Sequence, residues 1–134
     1  MNVNRKKIIW FVVLGIVGIS PFAYFIGGAT KCYLNKRALV RTIRDADRVV
    51  VYNTTNPHNK KEYRGNDLQL IIKAIAESRS DNRLYDTPVG LYCMEFYKDN
   101  KLLAQIGACS DLWRYRSKQY RVPYGSRFSE YLMI

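Results

Sequence analysis

The chain has 134 residues and a formal net charge of +11, from 22 Lys and Arg against 11 Asp and Glu. Charged residues at 25% and aromatics at 13% exclude a disordered composition. Three cysteines without C-x-x-C spacing argue against a zinc ribbon or a disulfide framework, and no nucleotide-binding or catalytic motif is present.

Residues 1–7 form a basic flank with Arg5, Lys6 and Lys7. The run from Ile8 to Ile26 then holds 19 residues without a charge. As a helix it would be about 28 Å long, close to the hydrocarbon thickness of a bilayer. Trp10 and Tyr24 stand near its ends, where amphipathic rings prefer the headgroup region. Pro21 is tolerated in a membrane helix and would kink it. Residues 8–27 are therefore read as an uncleaved signal anchor, which makes the lipid bilayer the first expected partner.

The rival reading is a signal peptide cut near Gly27-Gly28-Ala29, which would leave a secreted basic domain. Against it, the apolar run exceeds the usual length of a signal-peptide core and keeps bulky aromatics to its end. The short N-terminal start favours a domain on the non-cytoplasmic side. Lys31, Lys36, Arg37, Arg41 and Arg44 follow the span closely and argue for the other side. Cys32 stands at this boundary, a position open to palmitoylation if it is cytoplasmic.

Residues 28–46 form a basic juxtamembrane segment. Within it, 34–46 reads as a short helix, because Leu39, Val40, Ile43 and Ala46 recur at helical spacing with cations between them. Such a helix can lie along a bilayer surface. It can equally pack its apolar side on the domain.

Residues 47–134 are expected to form one small α+β domain. Val49–Tyr52 is β-branched and reads as a strand. It ends in Asn53-Thr54-Thr55-Asn56-Pro57, a turn cluster, and 53–66 is expected to be a long loop. Asn53-Thr54-Thr55 also matches the N-glycosylation acceptor pattern, which matters only in a secretory lumen. A helix is predicted from Asn66, with Asn66 as cap and Gln69 in capping-box position, ending at Ser80-Asp81-Asn82. Leu68, Ile71, Ile72 and Ile75 form its core stripe.

After a linker over 83–89, residues 90–98 and 101–109 flank Asp99-Asn100 as a two-residue hairpin. Residues 113–122 and 128–134 are predicted as two further strands. The whole is then an antiparallel sheet of about four strands with one main helix packed on it.

In that hairpin, positions pairing across Asp99-Asn100 place Cys93 opposite Ile106. Cys93 and Cys109 then point to opposite faces, so free thiols are expected. Glu95 alone interrupts an apolar strand, sharing a face with Leu91, Cys93 and Tyr97; buried, it would need a partner. An enzyme centred on Glu95 or Cys93 is one possible reading. It lacks a second convergent carboxylate, and the single histidine, His58, lies in the polar loop. No catalytic residue, cofactor or metal is assigned.

The most distinctive stretch is WRYRSKQYRVPYGSR, residues 113–127, where cations alternate with aromatics and no acid intervenes. Arg114, Tyr115, Arg116, Lys118 and Arg121 make up the candidate contact surface. As one strand, it would face Trp113 and Tyr115 inward and Arg114, Arg116 and Lys118 outward. An acidic protein or anionic lipid suits such a face. Single-stranded nucleic acid suits the composition too, though tethering to a membrane makes it the less expected partner. The functional expectation is a single-pass, membrane-anchored binding or accessory module without enzymatic activity.

Overall fold

The computed structural model describes residue 31, residues 33–81 and residues 90–134. The apolar run 8–26, including Ile8, Trp10, Pro21, Tyr24 and Ile26, lies outside them, as do Cys32 and the linker. Residues 33–134 form one compact unit.

Helix α1 spans 33–43, followed by β1 (Arg48–Asn53), β2 (Lys60–Tyr63), α2 (Gly65–Ala76) and β3 (Arg79–Ser80). Four strands then run in succession: β4 (Tyr92–Lys98), β5 (Lys101–Cys109), β6 (Leu112–Tyr115) and β7 (Lys118–Arg121). A 3-10 turn, Phe128–Leu132, closes the fold. The sheet order is β2-β1-β4-β5-β6-β7-β3, and every pairing is antiparallel. The α+β class holds, but the sheet has seven strands where about four were expected.

Three expected elements differ from those observed, and the two-residue β3 is a further strand that was not expected. The polar stretch 53–66 is not all loop, because Lys60–Tyr63 pairs with β1 through Tyr63 opposite Val49. Only Tyr63 of these four is buried, so hydropathy alone gave no strand signal. The stretch 113–122 is not one strand. It folds back at Arg116-Ser117, whose φ values of 48° and 63° are the left-handed pair of a tight hairpin turn. The last segment, 128–134, is not a strand. Phe128 and Leu132 are buried while Glu130 between them is exposed, a pattern that one helical turn satisfies and an alternating strand does not.

Helix α2 also differs at both ends. Arg64 is its N-cap, extended at φ −136° and without a side-chain cap bond, and Gly65 follows at φ 58°. That left-handed step suits glycine and starts the helix before Asn66 can cap it. At the other end the helix stops at Ala76. Ser78 then turns the chain so that Arg79 and Ser80 pair with Arg121 and Tyr120.

One face of the sheet carries the core. Val49, Val51, Met94, Phe96, Ile106, Ala108, Trp113 and Tyr120 are buried on it, and opposed pairs such as Val49–Phe96 and Met94–Ile106 share that side. Leu68, Ile71, Ile72 and Ile75 of α2 and Leu39 and Ile43 of α1 complete the core. Each large apolar side chain removed from water there contributes roughly 2 kcal/mol. Trp113 and Tyr120 stack across β6 and β7 with centroids 4.2 Å apart. The Tyr63 hydroxyl donates to the Tyr131 carbonyl at 3.0 Å, which ties the closing turn to β2.

Asp99-Asn100 is the turn of the β4–β5 hairpin as expected, with φ values of 49° and 64°. Its register shifts, however. A bulge between Phe96 and Tyr97 pairs Tyr97 with Leu102 but Phe96 with Ala104, leaving Leu103 over. One extra residue moves every later pairing by one. Cys93 therefore sits opposite Gly107 instead of Ile106, and Cys93 and Cys109 fall on the same side of the sheet. Both are free, buried thiols.

Candidate functional site

Helix α1 divides its residues cleanly. Leu39 and Ile43 are buried on one side, with Ala46 buried just past the helix end. Lys36 donates from Nζ to the Ser78 carbonyl at 2.7 Å, at the C-terminal end of α2, where a cation also meets the negative end of the helix dipole. Tyr33, Leu34, Arg37 and Arg41 occupy the opposite side together with Arg44, which follows the helix and whose N–H still bonds the Val40 carbonyl at 3.0 Å; helical spacing puts the five within about 100° of arc. All five are exposed. Among the described residues, Arg37, Arg41 and Arg44 form no ion pair. Tyr33, Lys36, Arg37, Val40, Arg41, Arg44 and Ala76 line a shallow depression of about 410 Å³.

The candidate surface of the basic aromatic stretch does not gather on one face. Arg114 lies on the open side of the sheet, 3.5 Å from Gln119 Oε1. Arg116 is in the hairpin turn, its guanidinium over the Tyr115 ring at 5.1 Å. Lys118 pairs with Tyr115 and so takes the side that carries Trp113. Arg121 bonds Asp81 at 2.9 Å and Asp111 at 2.6 Å, so its charge is held within the protein. The reason is the turn at Arg116-Ser117. It returns the chain in the other direction and breaks the alternation that a single strand would keep.

Glu95 lies on the open side of the sheet and has partners, though not an arginine. Tyr52 donates to Oε1 at 3.3 Å and Tyr97 donates to Oε2 at 2.5 Å. The hydrogen bond to Glu95 holds the Tyr97 phenol above its ordinary value, with burial adding to it. Tyr52 is raised by its hydrogen bond with Cys93, then by burial, then by the charges of Cys93 and Glu95. Gln105 donates to Cys93 Sγ at 2.8 Å. Arg48 stacks on the Tyr97 ring at 4.4 Å and donates to Asn100 Oδ1 at 3.1 Å.

A depression of about 420 Å³ beside this cluster is lined by Arg48, Lys60, Glu62 and Glu95 with Tyr52 and Tyr97. It mixes both signs of charge and holds no nucleophile–base pair. His58 is exposed in the β1–β2 connection. Among the described residues, no group of three His, Cys, Asp or Glu side chains is placed to hold a metal ion.

Of the two tyrosine partners of Glu95, only Tyr97 is legible in the sequence. Strand alternation puts Tyr97 on the same face as Glu95, but Tyr52 reaches it across the β1–β4 pairing, where Val50 opposes Glu95 and Tyr52 opposes Cys93. No sequence signal fixes that pairing. The row on α1 was visible as cations between apolar residues; what the fold adds is which side is covered.

Compared with protein families, curated proteins and solved structures, the chain matches no family model, no curated protein and no solved structure. Among the described residues no helix is long and apolar enough to cross a membrane.

Proposed function

We propose that this chain is a single-pass, membrane-anchored binding module without enzymatic activity, which meets an anionic surface through helix α1. The observation that carries the reading is the row of Arg37, Arg41 and Arg44, exposed on one side of α1 and without a carboxylate partner among the described residues. The uncharged run 8–26 supplies the anchor. Tethering confines the domain to the bilayer surface and raises its effective concentration towards partners there. A domain with a net charge of +8 after the run is drawn to anionic partners at long range, and the α1 row gives that attraction a place. Glu95 and Cys93 are engaged in hydrogen bonds to neighbouring side chains, an arrangement that supports a structural role for both.

Two measurements test the reading. The full chain should stay in the membrane pellet after alkaline carbonate extraction; release into the supernatant refutes the anchor. On an anionic matrix, the detergent-solubilised triple variant R37E/R41E/R44E should elute at clearly lower salt than the control R114E/R116E/R127E, which changes the same net charge elsewhere. Equal elution of the two variants refutes α1 as the contact.

A further inference from the structure

We infer that the outer side of α1 lies on the phosphates of anionic phospholipids in the bilayer that anchors the chain. This rests on the membrane-anchored reading above and names the partner of the same row.

The make-up of the arc points to lipid. Tyr33 and Leu34 are 56% and 54% exposed at the start of the helix, the end nearest in sequence to the apolar run. Three arginines follow at positions 37, 41 and 44, and the reverse side of the helix is buried in the domain. A helix with apolar residues at one end of its outer side and arginines along the rest matches the headgroup region. Ring and aliphatic groups enter the acyl boundary there, and guanidinium forks meet phosphate oxygens.

Reach permits the contact. Six residues, 27–32, separate Ile26 from Tyr33. At the greatest extension of a chain, Tyr33 is within about 25 Å of the end of the apolar run. The connection is therefore short enough for the start of the row to meet a headgroup layer.

Size separates lipid from an acidic protein as the partner. The row is one helix wide and about 17 Å long. That is far short of the roughly 800 Å² per partner that a stable protein interface needs. A lipid surface sets no such minimum, because each cation near it contributes on its own.

The test uses the full chain in nanodiscs and phenylglyoxal, a neutral reagent that modifies accessible arginines, read by mass spectrometry at each site. Nanodiscs of phosphatidylcholine are compared with nanodiscs that also contain phosphatidylglycerol. In the anionic discs, modification of Arg37, Arg41 and Arg44 should slow about fivefold, the protection expected from a contact of ordinary strength for a basic residue at a charged membrane. Arg114 and Arg116 should react equally in both. High salt should remove the protection.

Equal rates at the α1 sites in both lipids overturn the inference. If carbonate extraction and the elution shift still hold in that case, the anchored module stands and its partner is an acidic protein. Protection in phosphatidylcholine discs by added inorganic phosphate alone also overturns it, by showing a site for free phosphate. Protection that spreads uniformly to Arg114 and Arg116 overturns it as well, since the whole surface would then be responding to charge.

Discussion

Replacing Ser78 by Ala tests how the end of α2 is fastened to the sheet. Ser78 is buried, and its hydroxyl works in both directions. It accepts the indole N–H of Trp113 at 2.8 Å and donates to the Ala74 carbonyl at 2.7 Å. Alanine leaves a fully buried indole N–H without an acceptor, which costs about 1–3 kcal/mol, and removes a second hydrogen bond worth about 1 kcal/mol. The cavity left by one hydroxyl is small. A net loss of about 2–4 kcal/mol is expected.

The cycle with Trp113→Phe isolates the cause. Phenylalanine fills most of the same space but has no N–H to strand, so in that background Ser78→Ala should cost about 1 kcal/mol less than in the wild type. The assay is urea denaturation of the detergent-solubilised full chain, followed by circular dichroism, for the four members of the cycle. If Ser78→Ala costs the same in both backgrounds, the indole is not the partner that matters and the account of this corner is wrong.

Replacing Arg116-Ser117 by Asn-Gly should raise stability by about 1 kcal/mol, since both residues sit at positive φ, and Asn and Gly tolerate that region better; an unchanged urea midpoint contradicts the turn geometry. Arg121→Ala should destabilise by about 2 kcal/mol, because it removes an ion-pair partner of the buried Asp81 carboxylate, and Asp81→Asn in the same chain should recover part of the loss. Tyr52, Tyr63, Tyr97 and Tyr131 all hold their protons more tightly than an unfolded tyrosine. Their stabilisation is therefore complete below about pH 10 and is lost as pH rises through their native values; a urea midpoint whose alkaline fall is no smaller in Tyr97→Phe contradicts this. Glu95→Gln should bring Tyr97 back towards its ordinary value, read from tyrosinate absorbance, and no movement would show that Glu95 is not its chief perturber.

Much of the core was legible. The stripe Leu68, Ile71, Ile72 and Ile75 is buried as its spacing implied, because a helical period leaves one face for apolar residues whatever they pack against. The β4–β5 turn was legible as well, since Asp and Asn tolerate left-handed backbone and two apolar runs flank them. The candidate contact surface was legible in composition and not in arrangement. Arg114, Arg116, Lys118 and Arg121 are neighbours in sequence, yet a turn that needs positive φ at Arg and Ser carries no residue signature. The register fared likewise. The bulge leaves Leu103 unpaired, and nothing in the run KLLAQIGAC marks which residue is the extra one.

The sequence by itself determined the uncharged run ahead of a basic domain, the α+β class and the helical stripe that faces inward. These follow from charge and periodicity, which act over a few residues and are written locally. The tertiary structure alone decided that Lys60–Tyr63 joins the sheet, that Arg121 is claimed by two aspartates, and that Glu95 is held by tyrosines from two strands. It also decided which side of α1 the domain covers, leaving Arg37, Arg41 and Arg44 turned outward. Each of these depends on which distant segment arrives as a neighbour, and local pattern carries no information about that.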